Sequence, residues 1–187
     1  MEVSNKIRIV VLTLAVFAEV LGEVWKKYSP EPFRLITVGL NDSLKDILAE
    51  KVIADSEIAD RFVLVPAHLI PCSRVSFEEL CSPVVYVFKE KKTWWGRTPV
   101  LFDKSDLETF LPGNDQLPDE DFVRKWVTEH LTRPVLVSPQ WGNYIMPVLR
   151  ADPCWAVVAE AMVLRKFLYA NSPGFSAIVS QVRKVLL

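Results

Sequence analysis

Glycine, histidine and cysteine are all scarce in this chain: six, two and three residues respectively among 187. None of the glycines falls in G-x-G-x-x-G or G-x-x-x-x-G-K-[ST], so no backbone loop that cradles a phosphate can be named. G-x-S-x-G, H-E-x-x-H and E-x-x-H are missing as well, which removes the short signatures of serine hydrolases, zinc peptidases and di-iron helices. The cysteines, Cys72, Cys81 and Cys154, are odd in number and irregularly spaced, the usage of reduced thiols in a cytoplasmic protein rather than of a disulfide framework.

No sign of charge dominates, because 22 basic residues meet 23 acidic ones. A net charge of −1 excludes the global positive field that non-specific nucleic-acid binders use, so any such binding must be local. A long hydrophobic run is missing too. Lys6 and Arg8 precede an uncharged stretch from Ile9 to Ala18 that resembles the start of a signal peptide or anchor. Glu19 and Glu23 break it well short of the roughly 20 apolar residues that a bilayer requires. The expectation is therefore a buried N-terminal helix from about Ile7 to Lys27, with Glu19, Glu23 and Lys27 along one edge. A membrane anchor over residues 7 to 25 is the alternative, and a membrane partner is not expected.

What the chain does have is apolar content. At 50% hydrophobic, 187 residues can bury a substantial core without disulfides or metals, and the expectation is a single globular domain over 1–187. Thirteen prolines are scattered singly, as in a domain of many short elements. Arg34 to Leu40 reads as a short buried strand, and Asn41-Asp42-Ser43 supplies caps for a helix from Leu44 to about Ala54, with Leu44, Ile47, Leu48 and Val52 inside. Phe62 to Val65 is a further apolar run, the stretch around Cys72 an irregular connection, and Ser76 to Glu79 the start of one or two helical turns. Val84 to Phe88 and Pro99 to Phe102 read as strands joined in a hairpin.

Ser105-Asp106-Leu107-Glu108 matches a capping box and predicts a short helix to Leu111. Pro118 with three acids opens another helix, whose inner stripe is Phe122, Val123, Trp126, Val127 and Leu131, supported by Glu120/Arg124 and Asp121/Lys125 pairs. Pro134 to Val137 and Tyr144 to Leu149 suggest a second hairpin. Residues 152 to 170 predict a helix capped by Asp152 and enclosed on all sides, since Glu160 is its only charge between Cys154 and Leu164. An amphipathic helix from Phe175 to Leu186 ends the chain. The fold class expected is α+β: a small mixed or antiparallel sheet of short strands packed with five to six helices, one of them buried near the C-terminus.

One stretch combines chemistry that could bind. Lys91, Lys92, Trp94, Trp95 and Arg97 place basic groups beside two adjacent indoles at the presumed hairpin tip. Such a combination can anchor a protein partner, track a phosphate backbone while stacking on bases, or merely close a core and solvate an edge strand. Residues 103 to 121 follow with seven acids and one lysine, which invites pairing with the tip within or between copies, although each acid also suits a helix start. His68, Cys72 and Cys81 are the only cluster of metal-type side chains. Their spacing lacks the paired short intervals of a zinc site, and a fourth ligand would have to come from distant His130 or a carboxylate, so no metal is expected. The same residues leave a cysteine-dependent enzyme conceivable, with His68 or His130 as base. The reading is a non-catalytic protein-interaction or assembly module that uses the tip to bind a protein or to self-associate. Nucleic acid is its alternative ligand, and no cofactor is implied.

Overall fold

Among the described residues, three parallel strands and one antiparallel strand form the largest sheet. The computed structural model describes residues 6–39, 42–66, 69–71, 74–81, 84–85, 99–130, 135–136, 155–157, 179–180, 182–184 and 187. The chain opens with β1 (Ile7–Leu14), passes through a 3-10 turn at Ala15–Phe17, and enters α1 (Ala18–Tyr28). This corrects the expectation of one helix from Ile7 to Lys27. Ile7, Ile9, Val10, Val11 and Thr13 are β-branched, lose χ1 freedom in a helix and pack well on a pleated surface. Here β1 is central and its backbone groups pair on both sides. No described helix is long and apolar enough to cross a membrane.

From α1 the chain returns as β2 (Phe33–Val38), the strand expected at Arg34 to Leu40. It then forms α2, an α-turn at Leu44–Asp46 continuing as a π-helix over Ile47–Ile53, and enters β3 (Ile58–Val65). Ser43 caps α2, its hydroxyl accepting from the Asp46 N–H at 3.1 Å. β6 (Val100–Asp103) lies antiparallel beside β3, giving the order β2-β1-β3-β6.

Alternation sorts the strands' side chains to two faces. Ile9, Val11, Val63, Val65 and Leu101 form one core with Val20, Leu21, Val24 and Trp25 of α1. Val10, Ile36, Phe62, Leu64, Val100 and Phe102 form the other with α2, α4 (Lys104–Phe110) and α5 (Asp119–His130). Crossovers of constant hand require this arrangement, since the chain moves from β1 to β2 and then back past β1 to β3. At Gly22 an added Cβ would lie 3.3 Å from Leu35 Cδ1, so the missing side chain sets how closely α1 approaches β2.

The π winding of α2 has an identifiable cause. Leu44, Ile47, Leu48 and Val52 lie on one side in ordinary α geometry, but nine residues beyond Leu44 an α-helix of 3.6 residues per turn has advanced about two and a half turns. Ile53 would then face away from the sheet. The wider i→i+5 winding holds it back, and Ile53 packs against the second core, half-buried.

The shorter elements revise the sequence reading further. β4 (Leu69–Pro71), within the stretch expected to be irregular, pairs antiparallel with β8 (Trp155–Val157). A strand at Trp155–Val157 overturns the expected helix over 152 to 170 at those residues. An aromatic and a β-branched side chain flanking Ala156 suit a strand once a partner is in reach. Cys154, Glu160 and Met162 lie outside the described residues. After α3 (Phe77–Leu80), β5 (Val84–Val85) pairs in parallel with β7 (Val135–Leu136), whereas β6 pairs with β3. Among the described residues, Val84–Val85 is therefore not paired with β6; Tyr86 to Phe88 and 144 to 149, on which the two expected hairpins depend, lie outside the described residues.

α5 carries the expected stripe as far as it is described, with Phe122, Val123, Trp126 and Val127 buried; Leu131 lies outside the described residues. α4 starts two residues earlier than its capping box implies. Asp103 is the N-cap, its carboxylate accepting from the Ser105 N–H at 3.1 Å and the Ser105 hydroxyl at 2.7 Å.

Candidate interaction edge

The carboxyl ends of β1, β2 and β3 share one rim of the sheet, and the antiparallel β6 begins there, because Val100 is opposite Leu64. In an open sheet of this kind the strand order turns outward on either side of β1, and ligands lie outside the carboxyl ends at such a reversal. Each connection leaving the rim can be followed. β1 leads into Ala15 and Val16, both exposed, and Val16 at 50% is one of two large apolar residues exposed among those described. Thr13 just beneath is fully buried, and its hydroxyl donates to the Leu14 carbonyl at 3.1 Å. α1 starts here at Phe17 without a side-chain cap, and Glu19 occupies its first turn.

The exit of β2 is fixed by Asp42. Its Oδ2 accepts from the Gly39 N–H at 2.9 Å and lies 3.5 Å from Lys51 Nζ, which also donates to the Thr37 carbonyl at 3.2 Å. The Gly39 hydrogen bond and, less strongly, the Lys51 charge hold this carboxyl below its ordinary 3.8. The sequence marks Asp42 only as a cap, yet its role is to tie the β2 exit to the side of α2.

Lys91, Lys92, Trp94, Trp95 and Arg97 lie outside the described residues, and the chain that carries them enters the sheet at Pro99 and Val100, on this rim. The acidic stretch that follows is largely engaged in building the corner between α4 and α5. Asp103 caps α4, Asp119 Oδ2 accepts from the Leu44 N–H at 3.0 Å, and Lys45 donates to the carbonyls of Asp115 and Leu117. Buried Asn114 joins α4 to α5, donating to the Phe110 carbonyl at 2.7 Å and accepting from Lys125 Nζ at 2.7 Å. Lys125 thus serves Asn114 rather than Asp121, whose partner is Arg124 at 3.2 Å, while Glu120 lies 3.5 Å from the same arginine.

No family model, curated protein or solved structure matches the chain. Its chemistry therefore rests on its own residues. Cys81 is half-buried, and burial pushes its thiol up to about 11, the opposite of what an activated nucleophile requires. His130, the distant candidate base or ligand, stacks on Trp126 with ring centroids 3.9 Å apart and stands edge-on to Phe110 at 5.2 Å. Its Nδ1 lies 3.2 Å from the Trp126 carbonyl oxygen, so the ring closes the end of α5. Among the described residues no group of three His, Cys, Asp or Glu side chains could hold a metal ion; His68 and Cys72 lie outside them.

Proposed function

We propose that this chain is a non-catalytic protein-interaction module of the reducing cytoplasm, and that it binds a protein partner through Lys91, Lys92, Trp94, Trp95 and Arg97. What supports the reading is the point at which this sequence joins the fold. β6 starts next to the carboxyl end of β3, on the same rim as the exposed Ala15–Val16 turn after β1 and, at the far edge of the sheet, the Gly39–Asp42 exit of β2. Loops at such a rim are where sheet scaffolds commonly carry binding residues. Indole and guanidinium groups supply contact area and charge-assisted hydrogen bonds, and they dominate binding hot spots.

The test begins with the protein that co-purifies with the full chain and holds a defined stoichiometry in solution mass measurements. Trp94→Ala and Trp95→Ala are then compared in affinity for that protein and in urea unfolding. One variant should lose about 2 kcal/mol or more of binding with stability unchanged. If the other indole is part of a core, its loss should cost roughly 3 to 5 kcal/mol of stability. Two variants that only destabilise, or two silent ones, remove the assignment. Retention on heparin that falls with salt and is lost in Lys91→Glu and Lys92→Glu would move the same segment to a nucleic-acid ligand.

A further inference from the structure

The π-helix at Ile47–Ile53 is a winding that the local sequence does not demand. Leu44, Ile47, Leu48 and Val52 would face the sheet in an α-helix as well; only Ile53 requires the wider turn. Two windings are therefore sterically open to one segment: the π form keeps Ile53 on the core, and the α form regains the tighter packing of the backbone about the helix axis.

The choice of winding has a consequence on the rim. Lys51 lies within the segment, and its ammonium reaches the Thr37 carbonyl at 3.2 Å and Asp42 Oδ2 at 3.5 Å, the oxygen that receives the Gly39 N–H. With Leu44–Asp46 held in place, rewinding at about 100° per residue instead of about 82° turns Lys51 by about 70° and Ile53 by about 110° around the axis. That rotation carries the ammonium off Thr37 and Asp42.

We propose that Ile47–Ile53 is a two-register element that governs the β2 exit. In the π register Ile53 is seated on the core and Lys51 clamps the Gly39–Asp42 turn; in the α register Ile53 faces solvent and the turn is released. The element needs no ligand and stands whether or not the rim binds a protein. A ligand on the Gly39–Asp42 turn would select between the registers only through a difference in affinity for them.

NMR relaxation dispersion on the full chain tests this, since exchange of a helix register falls in the microsecond-to-millisecond range. The expected result is exchange at the amides of Ile47–Ile53 and of Gly39 with one shared rate. Deleting exposed Ala49 removes the extra residue of the π turn while leaving both Ile53 and Lys51 on their present sides. It should yield an α-helix, abolish exchange at both places and keep the Gly39 amide protected. Ile53→Lys should instead favour the α register with Lys51 displaced, and speed Gly39 hydrogen exchange at least several-fold. Absence of dispersion in the unaltered chain, dispersion surviving the Ala49 deletion, or an α-wound Ile53→Lys chain with Gly39 exchange unchanged would each overturn the proposal.

Discussion

Asp103 shows how a single carboxylate redirects a helix start. It satisfies the Ser105 N–H and also fixes the Ser105 hydroxyl, so the serine is a guest of the cap rather than the cap itself. Asp103→Ala should cost about 1 kcal/mol in urea unfolding, the usual loss of an N-cap, whereas Ser105→Ala should cost clearly less. A larger loss at Ser105 would restore the capping box that the sequence suggests. Cys81 gives a prediction of opposite character. Its thiol titrates at about 11 in the folded protein against an ordinary 9.0, because burial disfavours the thiolate. The unfolded chain therefore ionises first, so this contribution to stability is complete below pH 9.0 and is lost as pH rises from there to about 11. Peptide-resolved alkylation by iodoacetamide should show a midpoint for Cys81 well above 9; a midpoint at or below 9 contradicts the assignment.

Between elements, the C-terminal segment is joined to α1 by Arg183. Its guanidinium lies 2.8 Å from Glu23 and 3.2 Å from Glu19, and neighbouring Val182 is buried in the first core. Glu19 and Glu23 were legible in the sequence as an i, i+4 edge, but the partner that uses them lies about 160 residues away, where no local pattern reaches. Because these carboxylates face water, Arg183→Ala should cost under about 1 kcal/mol, and the cost should shrink further in 1 M salt. A salt-independent loss of several kcal/mol would mean that the arginine is enclosed. The same limit explains where the sequence reading of elements succeeds. α5 declares itself through Phe122, Val123, Trp126 and Val127, whose spacing is local to one helix. β1 does not, because an apolar run is compatible with a buried helix or a buried strand, and the pairing of Ile9 with Phe33 on one side and Val63 on the other decides between them. The strand at Trp155–Val157 was hidden in the same way, since its partner Leu69–Pro71 is remote in sequence.

For the molecule as a whole, the mixing of helices with a mixed sheet was readable from composition and period, while the strand order was not. That order is what turns Ala15, Val16, Gly39, Asp42 and Val100 into one rim, although they are scattered over nearly half the chain. The basic, tryptophan-bearing segment was legible as chemistry from residue types alone; its entry on that rim emerges only from the pairing of Val100 with Leu64. The most direct measurement is site-specific photo-crosslinking in cells, with a benzophenone side chain introduced in turn at Trp94, at Trp95 and at Asp60, the exposed third residue of β3, away from its carboxyl end. The account predicts an adduct of one defined mass from position 94 or 95, lost when Lys91→Glu and Lys92→Glu are added, and none from position 60. No adduct at either tryptophan position, or equal yields from all three, would contradict it.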